Sequence, residues 1–305
     1  MPEPSESREG RQRQPESFPA SKAGLLALVA TPIGNLGDIS ARALETLREA
    51  DLIACEDTRV TGNLLSKFEI RRPILPYHDH NAETMRPKLI ARLLQGETVA
   101  LCSDAGMPLI SDPGYKLVRA ATEAGIAVTV IPGPSAPLAA LVLSGLPSDR
   151  FLFAGFLPVK DGARRETLQE LKGVRTTLLF FETGPRLADS LATCADVLGE
   201  RPAAVARELT KLHEEVRRDT LGALARHYAE SGAPKGEIVV VIGPPLPDAT
   251  VYDVDAALES ALKAMGIKEA ATAVAAASGK PRREIYARAL ALSGRGPNAS
   301  QKGSP

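Results

Sequence analysis

No tryptophan occurs in the sequence, and aromatic residues make up only 4% of it. That is too few for the stacking platforms on which proteins bind single-stranded nucleic acid. Charge of neither sign is in excess, since 37 Lys and Arg offset 37 Asp and Glu. The overall footprint of a strongly basic nucleic-acid binder is therefore missing, and any such partner has to be met by local patches. The three cysteines, Cys55, Cys102 and Cys194, stand singly, and two of them close apolar runs. They read as small buried hydrophobes, not metal ligands or disulfide halves, a usage that fits a reducing cytoplasm. No apolar run approaches the roughly 20 residues of a membrane span, and the polar N-terminus has no signal-peptide core. The expectation is a cytoplasmic protein without membrane attachment. Two nucleotide fingerprints are absent as well: G-x-G-x-x-G does not follow the first strand-like run, and G-x-x-x-x-G-K-[ST] occurs nowhere. Ordinary NAD and P-loop chemistry are thereby demoted.

What is present is an alternation of short aliphatic runs with amphipathic stretches, the pattern of parallel α/β units. With 305 residues, 44% of them hydrophobic, the chain can bury two modest cores. The expected organisation is a disordered tail over 1–22, rich in Glu, Arg, Ser, Pro and Gln; an N-terminal α/β domain over 23–147; a second α/β domain over 148–245; a helical piece over 251–293; and a second disordered tail over 294–305. Strands are read at 25–30, 51–55, 74–77, 98–102 and 127–131. Ser40 and Asn81 are placed to cap helices running to Ala50 and Gln95, and Gly114 opens one ending at Gly125. Beyond the break at Gly145-Leu146-Pro147-Ser148-Asp149, strands are read at 151–156, 177–181, 203–208 and 237–242, with a return strand near 215–219. A linker, Gly243-Pro244-Pro245-Leu246-Pro247, closes that set. In the last piece, two short helices, a turn at Gly279 and a basic helix with Pro281 at its first position resemble a helix-turn-helix appendage.

Three Gly/Pro-punctuated loops fall at the carboxyl ends of strands in the first set: Thr31-Pro32-Ile33-Gly34-Asn35, Ser103-Asp104-Ala105-Gly106-Met107-Pro108 and Pro132-Gly133-Pro134-Ser135. Any one of them reads as a tight turn. Three at neighbouring strand ends of a doubly wound sheet point to a nucleotide-like ligand, whose binding needs close backbone approach.

The ordered run of Thr-Pro-Ile-Gly-Asn-Leu-x-Asp-Ile, Cys-Glu-Asp-Thr-Arg, Tyr-His-Asp-His-Asn, Ser-Asp-Ala-Gly-x-Pro-Leu-Ile-Ser-Asp-Pro-Gly and Ile-Pro-Gly-Pro-Ser-Ala, from Thr31 to Ala136, closely resembles the ribosomal RNA small-subunit methyltransferase I family. The resemblance continues through Gly145–Phe151, Gly155–Pro158, Ala206–Lys211 and Lys235–Glu237, and covers roughly residues 25–292. It implies two α/β domains of the tetrapyrrole-methylase (class III methyltransferase) type with a small helix-turn-helix-like appendage. It also implies S-adenosylmethionine as cofactor, 2′-O-methylation of a cytidine ribose in the decoding region of 16S rRNA within the small ribosomal subunit, and a homodimer. Carried over by position, the cofactor residues are Pro32, Gly34, Ser103, Asp104, Ala105, Gly106, Met107, Pro132, Ser135 and Ala136. Asp104 would accept hydrogen bonds from ribose or amino groups, and the amides of Ala105 to Met107 would hold a carboxylate. Ser103 stands where tetrapyrrole-modifying relatives commonly have glycine, which favours the RNA branch. The alternatives are a tetrapyrrole methyltransferase of the same fold and a non-enzymatic RNA-binding assembly factor.

A ribose hydroxyl is a weak nucleophile, so a base or cation is sought nearby. Lys211 could act by its charge or, if desolvated, as the base; Glu208 and His80 are further candidates. The plainer reading of Lys211 and Glu208 is an ion pair at a strand end. His78-x-His80 lacks a third ligand, so no metal is expected. Arg59, His78, Arg150, Lys160, Arg164, Arg165, Lys280, Arg282 and Arg283 are the candidate RNA contacts. Interleaved Asp161, Glu166 and Glu284 equally suit ordinary solvated charge.

Overall fold

The computed structural model of the chain describes residues 24–112, 114–245 and 253–293. Both expected tails, and the linker residues Leu246 and Pro247, lie outside the described residues. The chain divides into two compact units, Met1–Leu171 with Thr176–Gly243, and Lys172–Arg175 with Pro244–Pro305.

The first unit opens with β1 (Leu25–Val29), α1 (Ala41–Glu49), β2 (Leu52–Cys55), α2 (Thr58–Lys67), β3 (Ile74–Pro76), α3 (Ala82–Leu94), β4 (Thr98–Cys102), α4 (Tyr115–Glu123), β5 (Ala127–Ile131) and α5 (Ala136–Ser144). The five strands form one parallel sheet in the order β3-β2-β4-β1-β5. Parallel strands joined by right-handed crossovers determine which face each helix covers. The chain moves outward from β1 through β2 to β3 and then back through β4 to β5, so α1 and α2 cover one face and α3 and α4 the other. Strand alternation divides the core accordingly. Ala27, Val29, Ile53, Cys55, Ala100 and Cys102 pack with Leu47 of α1 and Leu65 of α2. Leu26, Leu52, Ala54, Val99 and Leu101 pack with Leu89 and Leu93 of α3 and Leu117 of α4. The reversal of winding lies between β1 and β4, where ligands bind in such sheets.

The helix starts follow from local chemistry. The Ser40 hydroxyl accepts from the Ala43 amide at 3.1 Å, and Asp57 accepts from the Arg59 amide at 2.8 Å, each satisfying an otherwise orphan donor. Asn81 does not cap α3 as expected. Its Oδ1 accepts from the His78 amide and its Nδ2 donates to the Pro76 carbonyl, so the side chain ties the end of β3 to the helix entry instead.

The same unit continues with β6 (Phe151–Phe156), α6 (Asp161–Leu171), β7 (Thr177–Thr183), α7 (Gly184–Leu198), β8 (Pro202–Arg207), β9 (Glu215–Thr220), α8 (Leu221–Ser231) and β10 (Glu237–Ile242). The second sheet runs β6-β7-β10-β8-β9 and is mixed: only β6 and β7 are parallel. Helix α5 lies against one of its faces, burying Ala140 and Leu141 with Leu179, Ala204, Ala206, Val239 and Val241. Ile33, from the loop after β1, joins the same cluster. That shared core couples the β1 loop to the second sheet.

The second unit contains α9 (Val254–Ala264), α10 (Ile267–Ser278) and α11 (Arg282–Leu292), packed through Val254, Leu258, Ala270, Ala271, Val274, Ile285 and Ala289. Gly279 adopts the left-handed conformation that ends α10 (φ 67°). Pro281 stands one position earlier than expected, as the N-cap of α11. The three cysteines are free and buried, as expected.

Leu47 is fully buried beneath the sheet. Leu47→Ala should lower unfolding free energy by about 2–5 kcal/mol in a denaturant titration; a loss under about 1 kcal/mol would mean that this face repacks freely.

Candidate active site

The loops after β1 and β4 are tied to each other. Thr31 and Gly106 exchange two backbone hydrogen bonds, of 2.9 and 3.1 Å. The Thr31 hydroxyl donates to the Ser103 carbonyl at 3.1 Å, and the Ser103 hydroxyl to the Gly106 carbonyl at 2.8 Å, both buried. Gly106 holds φ 82°, which a side chain would strain, and a Cβ there would press on Ile33. The β5 loop comes as close: the Ala30 amide donates to Ile131, and a Cβ at Gly133 would meet that of Ala30 at 2.9 Å. Backbone proximity is thus built in by glycine at two of the three loops.

These loops wall a cleft of ≈ 330 Å³, within the ordinary range for a small-molecule site. Of the ten expected cofactor residues, Asp104, Ala105, Gly106, Met107, Ser135 and Ala136 line it. Pro32, Gly34 and Ser103 instead line an adjoining hollow of ≈ 280 Å³ against α2. Pro132 lines neither and is exposed. The Gly106 N–H is spent on the Thr31 carbonyl, so it does not join its neighbours as a carboxylate donor.

The opposite wall was not legible in the sequence. Phe181, Glu182 and Thr183 at the end of β7, Leu209 after β8, and Gly236 to Val239 at the start of β10 line the cleft, as do Phe156 of β6 and Ile110 to Asp112. Phe181 touches Phe153 and Phe156 with ring centroids 4.9 and 5.3 Å apart. Glu182 is buried, with its carboxylate accepting from the Ser190 hydroxyl at 2.5 Å and the Thr183 amide at 2.8 Å, beside Arg186 at 3.4 Å. The only forewarning lay in the Gly-Phe-Leu-Pro and Lys-Gly-Glu motifs, which had no role assigned.

Asp104 borders the cleft, the adjoining hollow and a third, open hollow of ≈ 440 Å³ lined by Glu56, Asp57, Arg59, His78 and His80. One oxygen of Asp104 accepts from the Asp57 amide at 3.1 Å, which fixes the carboxylate from the α2 side. Asp112 is half-buried in the cleft wall, and its carboxyl is pushed up to about 7, chiefly by burial and then by the charges of Glu56 and Asp104. Glu56 is also raised, by burial first and then by Asp104 and Asp79.

The expected catalytic trio separates. Lys211 donates to Glu208 and Glu237, each at 2.8 Å. Burial pulls its ammonium down, but the two hydrogen bonds outweigh that and the net shift is upward. Both pairs fit the plainer reading of Lys211 as a strand-end ion-pair partner. Hydrogen bonding from Lys211 holds Glu208 below the usual carboxylate range. The stem of Lys211 packs over Gly34, where any Cβ would collide with it. His80 is exposed beside His78, ring centroids 6.0 Å apart, and lines the open hollow instead of the cleft.

The basic candidates also divide. Arg59 is largely exposed and chelates Asp57, Nη2 to Oδ2 2.6 Å. Arg150, Lys160, Lys280, Arg282 and Arg283 are exposed. Arg165 pairs with Asp161 and Asp196 while remaining half-exposed. Arg164 is a correction: it is buried, donating to Thr193 at 3.1 Å and Asp161 at 2.9 Å, and so joins α6 to α7 instead of facing a ligand. Among the described residues no group of His, Cys, Asp and Glu could hold a metal ion.

The model of the Tetrapyrrole (Corrin/Porphyrin) Methylases family matches residues 25–225, and that of the RsmI C-terminal HTH domain matches 248–293. Ribosomal RNA small subunit methyltransferase I of Mesorhizobium japonicum is 56% identical over 88% of this chain and 92% of its own length. The protein of the same name from Erythrobacter litoralis is 55% identical over 88% and 95%. The chain belongs to the ribosomal RNA small subunit methyltransferase I family. A diphthine synthase crystal structure, 19% identical, superposes with a TM-score of 0.55 over 72% of this chain and 89% of its own, a likeness of fold alone. The membership makes the chain a methyltransferase of the tetrapyrrole-methylase fold, with the family's helical module at its C-terminal end. Among the described residues no helix is long and apolar enough to cross a membrane.

Arg164→Ala should lower stability by about 1–3 kcal/mol, because it strips a partner from buried Thr193 and opens space under α7. Arg150→Ala should leave melting unchanged. Thermal melts of the two variants separate a structural arginine from a surface one.

Proposed function

We propose that the chain transfers a methyl group from S-adenosylmethionine to the 2′-hydroxyl of a cytidine ribose in the decoding region of 16S rRNA. The proposed setting is the cytoplasm, with the small ribosomal subunit as substrate and the enzyme a homodimer. The observation that carries the reading is the cleft at the winding reversal, walled by the glycine-bearing loops after β1, β4 and β5.

The residues present suit that cofactor. Asp104, Asp112 and Glu237 put carboxylates around a ligand bearing a sulfonium and an ammonium group. Phe156, Phe181, Ile33, Leu209 and Val239 offer apolar surface for a heteroaromatic ring. The amides of Ala105 and Met107, unlike that of Gly106, are not engaged by the Thr31 bridge and can meet a carboxylate. When bound, the cofactor supplies an electrophilic methyl group. The protein's own part is to orient donor and hydroxyl in line, exclude water and receive the hydroxyl's proton. The open hollow with Arg59, His78 and His80 suits phosphate and base contacts on the RNA side, and exposed Arg150, Lys160, Lys280, Arg282 and Arg283 suit recognition of a folded RNA by its backbone.

Support for a homodimer comes from exposed apolar side chains: Leu138, Val142 and Leu143 on α5, and Phe151, Leu152 and Phe156 along β6, an edge strand. Val142→Asp should give a monomer in light scattering, whereas an unchanged mass would rule out α5 as the interface.

Tritium from labelled S-adenosylmethionine should enter 16S rRNA of small subunits taken from a strain lacking this gene, at a nucleotide whose 3′ linkage then resists alkali. Label in a base, or none in RNA, would overturn the proposal. Asp104→Ala should weaken cofactor binding at least tenfold by calorimetry; an unaltered dissociation constant would remove Asp104 from the cofactor site.

A further inference from the structure

We propose that Asp112 is the catalytic base, the carboxylate that takes the proton from the substrate hydroxyl. This inference rests on the methyl-transfer reading above and names the group which that reading leaves open.

Three observations converge on Asp112. The residue lines the cleft on the same wall as Asp104 to Met107, on the loop that carries the expected cofactor contacts. Its loop is held in an unusual conformation. Leu109 and Ser111 both have positive φ, 71° and 62°, although neither is glycine, and backbone strain of this kind clusters at active sites and ligand clamps. The other proton-accepting candidates are committed elsewhere. Lys211 is held as a cation between Glu208 and Glu237, Glu182 is tied to Ser190 and Arg186, and His80 faces the open hollow.

The charged groups around Asp112 explain its affinity for a proton. Glu56 approaches from the end of β2 and Asp104 from the same loop, while on the far wall Glu182 is paired with Arg186 and Glu237 with Lys211. Tyr77 and Ser103 share a small recess with Asp112 and Glu56. His78 acts on Glu56 in the opposite sense to the carboxylates. Burial comes first among the causes, and the carboxyl is pushed up to about 7, a range suited to a base working at neutral pH. In the proposed step the hydroxyl's O–H bond breaks and its proton passes to Asp112. The O–CH3 bond forms as the S–CH3 bond of the sulfonium breaks, and that electron pair leaves with sulfur as a neutral thioether. Water then takes the proton from Asp112.

A raised carboxyl has a consequence that does not depend on turnover. The folded protein retains a proton that the unfolded chain has lost above about pH 4, so stability declines as pH rises from about 4 through 7. Asp112→Asn should abolish that part of the decline and melt higher than wild type at pH 8.

The deciding experiment combines melting curves between pH 5 and 8, cofactor calorimetry, and methyl transfer to small subunits, for wild type, Asp112→Asn and Asp112→Glu. The expected result is that Asp112→Asn melts higher at pH 8, binds S-adenosylmethionine less than about tenfold more weakly than wild type, and at saturating cofactor loses turnover by about 10²–10⁴-fold. Asp112→Glu should recover part of the rate, with a displaced pH midpoint. Turnover of Asp112→Asn within threefold of wild type would overturn the assignment while leaving methyl transfer standing. The same would follow if it lost cofactor binding in parallel with turnover. Wild type that melts as expected but labels no RNA would overturn the methyl-transfer reading and the assignment with it.

Discussion

The pairing of Thr31 with Gly106 is the contact on which the site depends. Two backbone hydrogen bonds and the buried Thr31 hydroxyl bond lock the loops after β1 and β4 together at the point where the winding of the sheet reverses, and the Ser103 hydroxyl braces the β4 loop from within. A parallel sheet spreads its strand ends apart with its twist, and loops there are ordinarily independent. Here they form one wall. Since Ile33 follows directly and is buried in the second sheet's core with Leu209 and Val239, the same clamp sets the distance between that wall and the opposite one. The glycines follow from this closeness: Gly106 admits the bridge, Gly133 lets β5 approach Ala30, and Gly34 leaves room for the stem of Lys211.

Much of the scaffold was legible in the sequence because it follows from short-range rules. Aliphatic runs with strand-like length gave the five parallel strands, and the Ser40 cap and Gly279 turn fell where their side-chain chemistry requires. The errors share a cause. Arg164 reads as an RNA contact, or as solvated charge, because Asp161, Arg165 and Glu166 surround it in sequence; its burial depends on Thr193, 29 residues away. Asn81 had the composition of a cap, but two partners across the turn competed for its amide. The second wall of the cleft was invisible for the same reason. Phe181, Glu182, Ile238 and Val239 read as the ends of buried strands, and only the antiparallel pairing of β7 with β10 brings them together.

Electrostatics divides the molecule more sharply than its zero net charge suggests. The cleft gathers Asp104, Asp112 and Glu237, with Glu56 close behind. The exposed cations lie elsewhere, and those near the cleft are occupied: Arg59 by Asp57, Lys211 by two glutamates. Mutual repulsion among half-buried carboxylates is tolerated only if a cation arrives or a proton is retained. Asp112 shows the second outcome in the protein alone.

On the proposed reading, one arrangement then performs both selection and catalysis. A sulfonium donor relieves the repulsion that its neutral thioether product does not, so the acidic wall favours donor over product by the charge that methyl transfer removes. The same wall disfavours close approach of RNA phosphates, which leaves the uncharged ribose hydroxyl as the part of the substrate able to enter. A cation bound beside Asp112 would also lower its carboxyl toward the ionised form, so the base would be empty when donor is present and more apt to hold a proton once the product has formed. Binding of the donor and readiness of the base are in that case the same electrostatic event, set by carboxylates that the Thr31–Gly106 clamp holds in place.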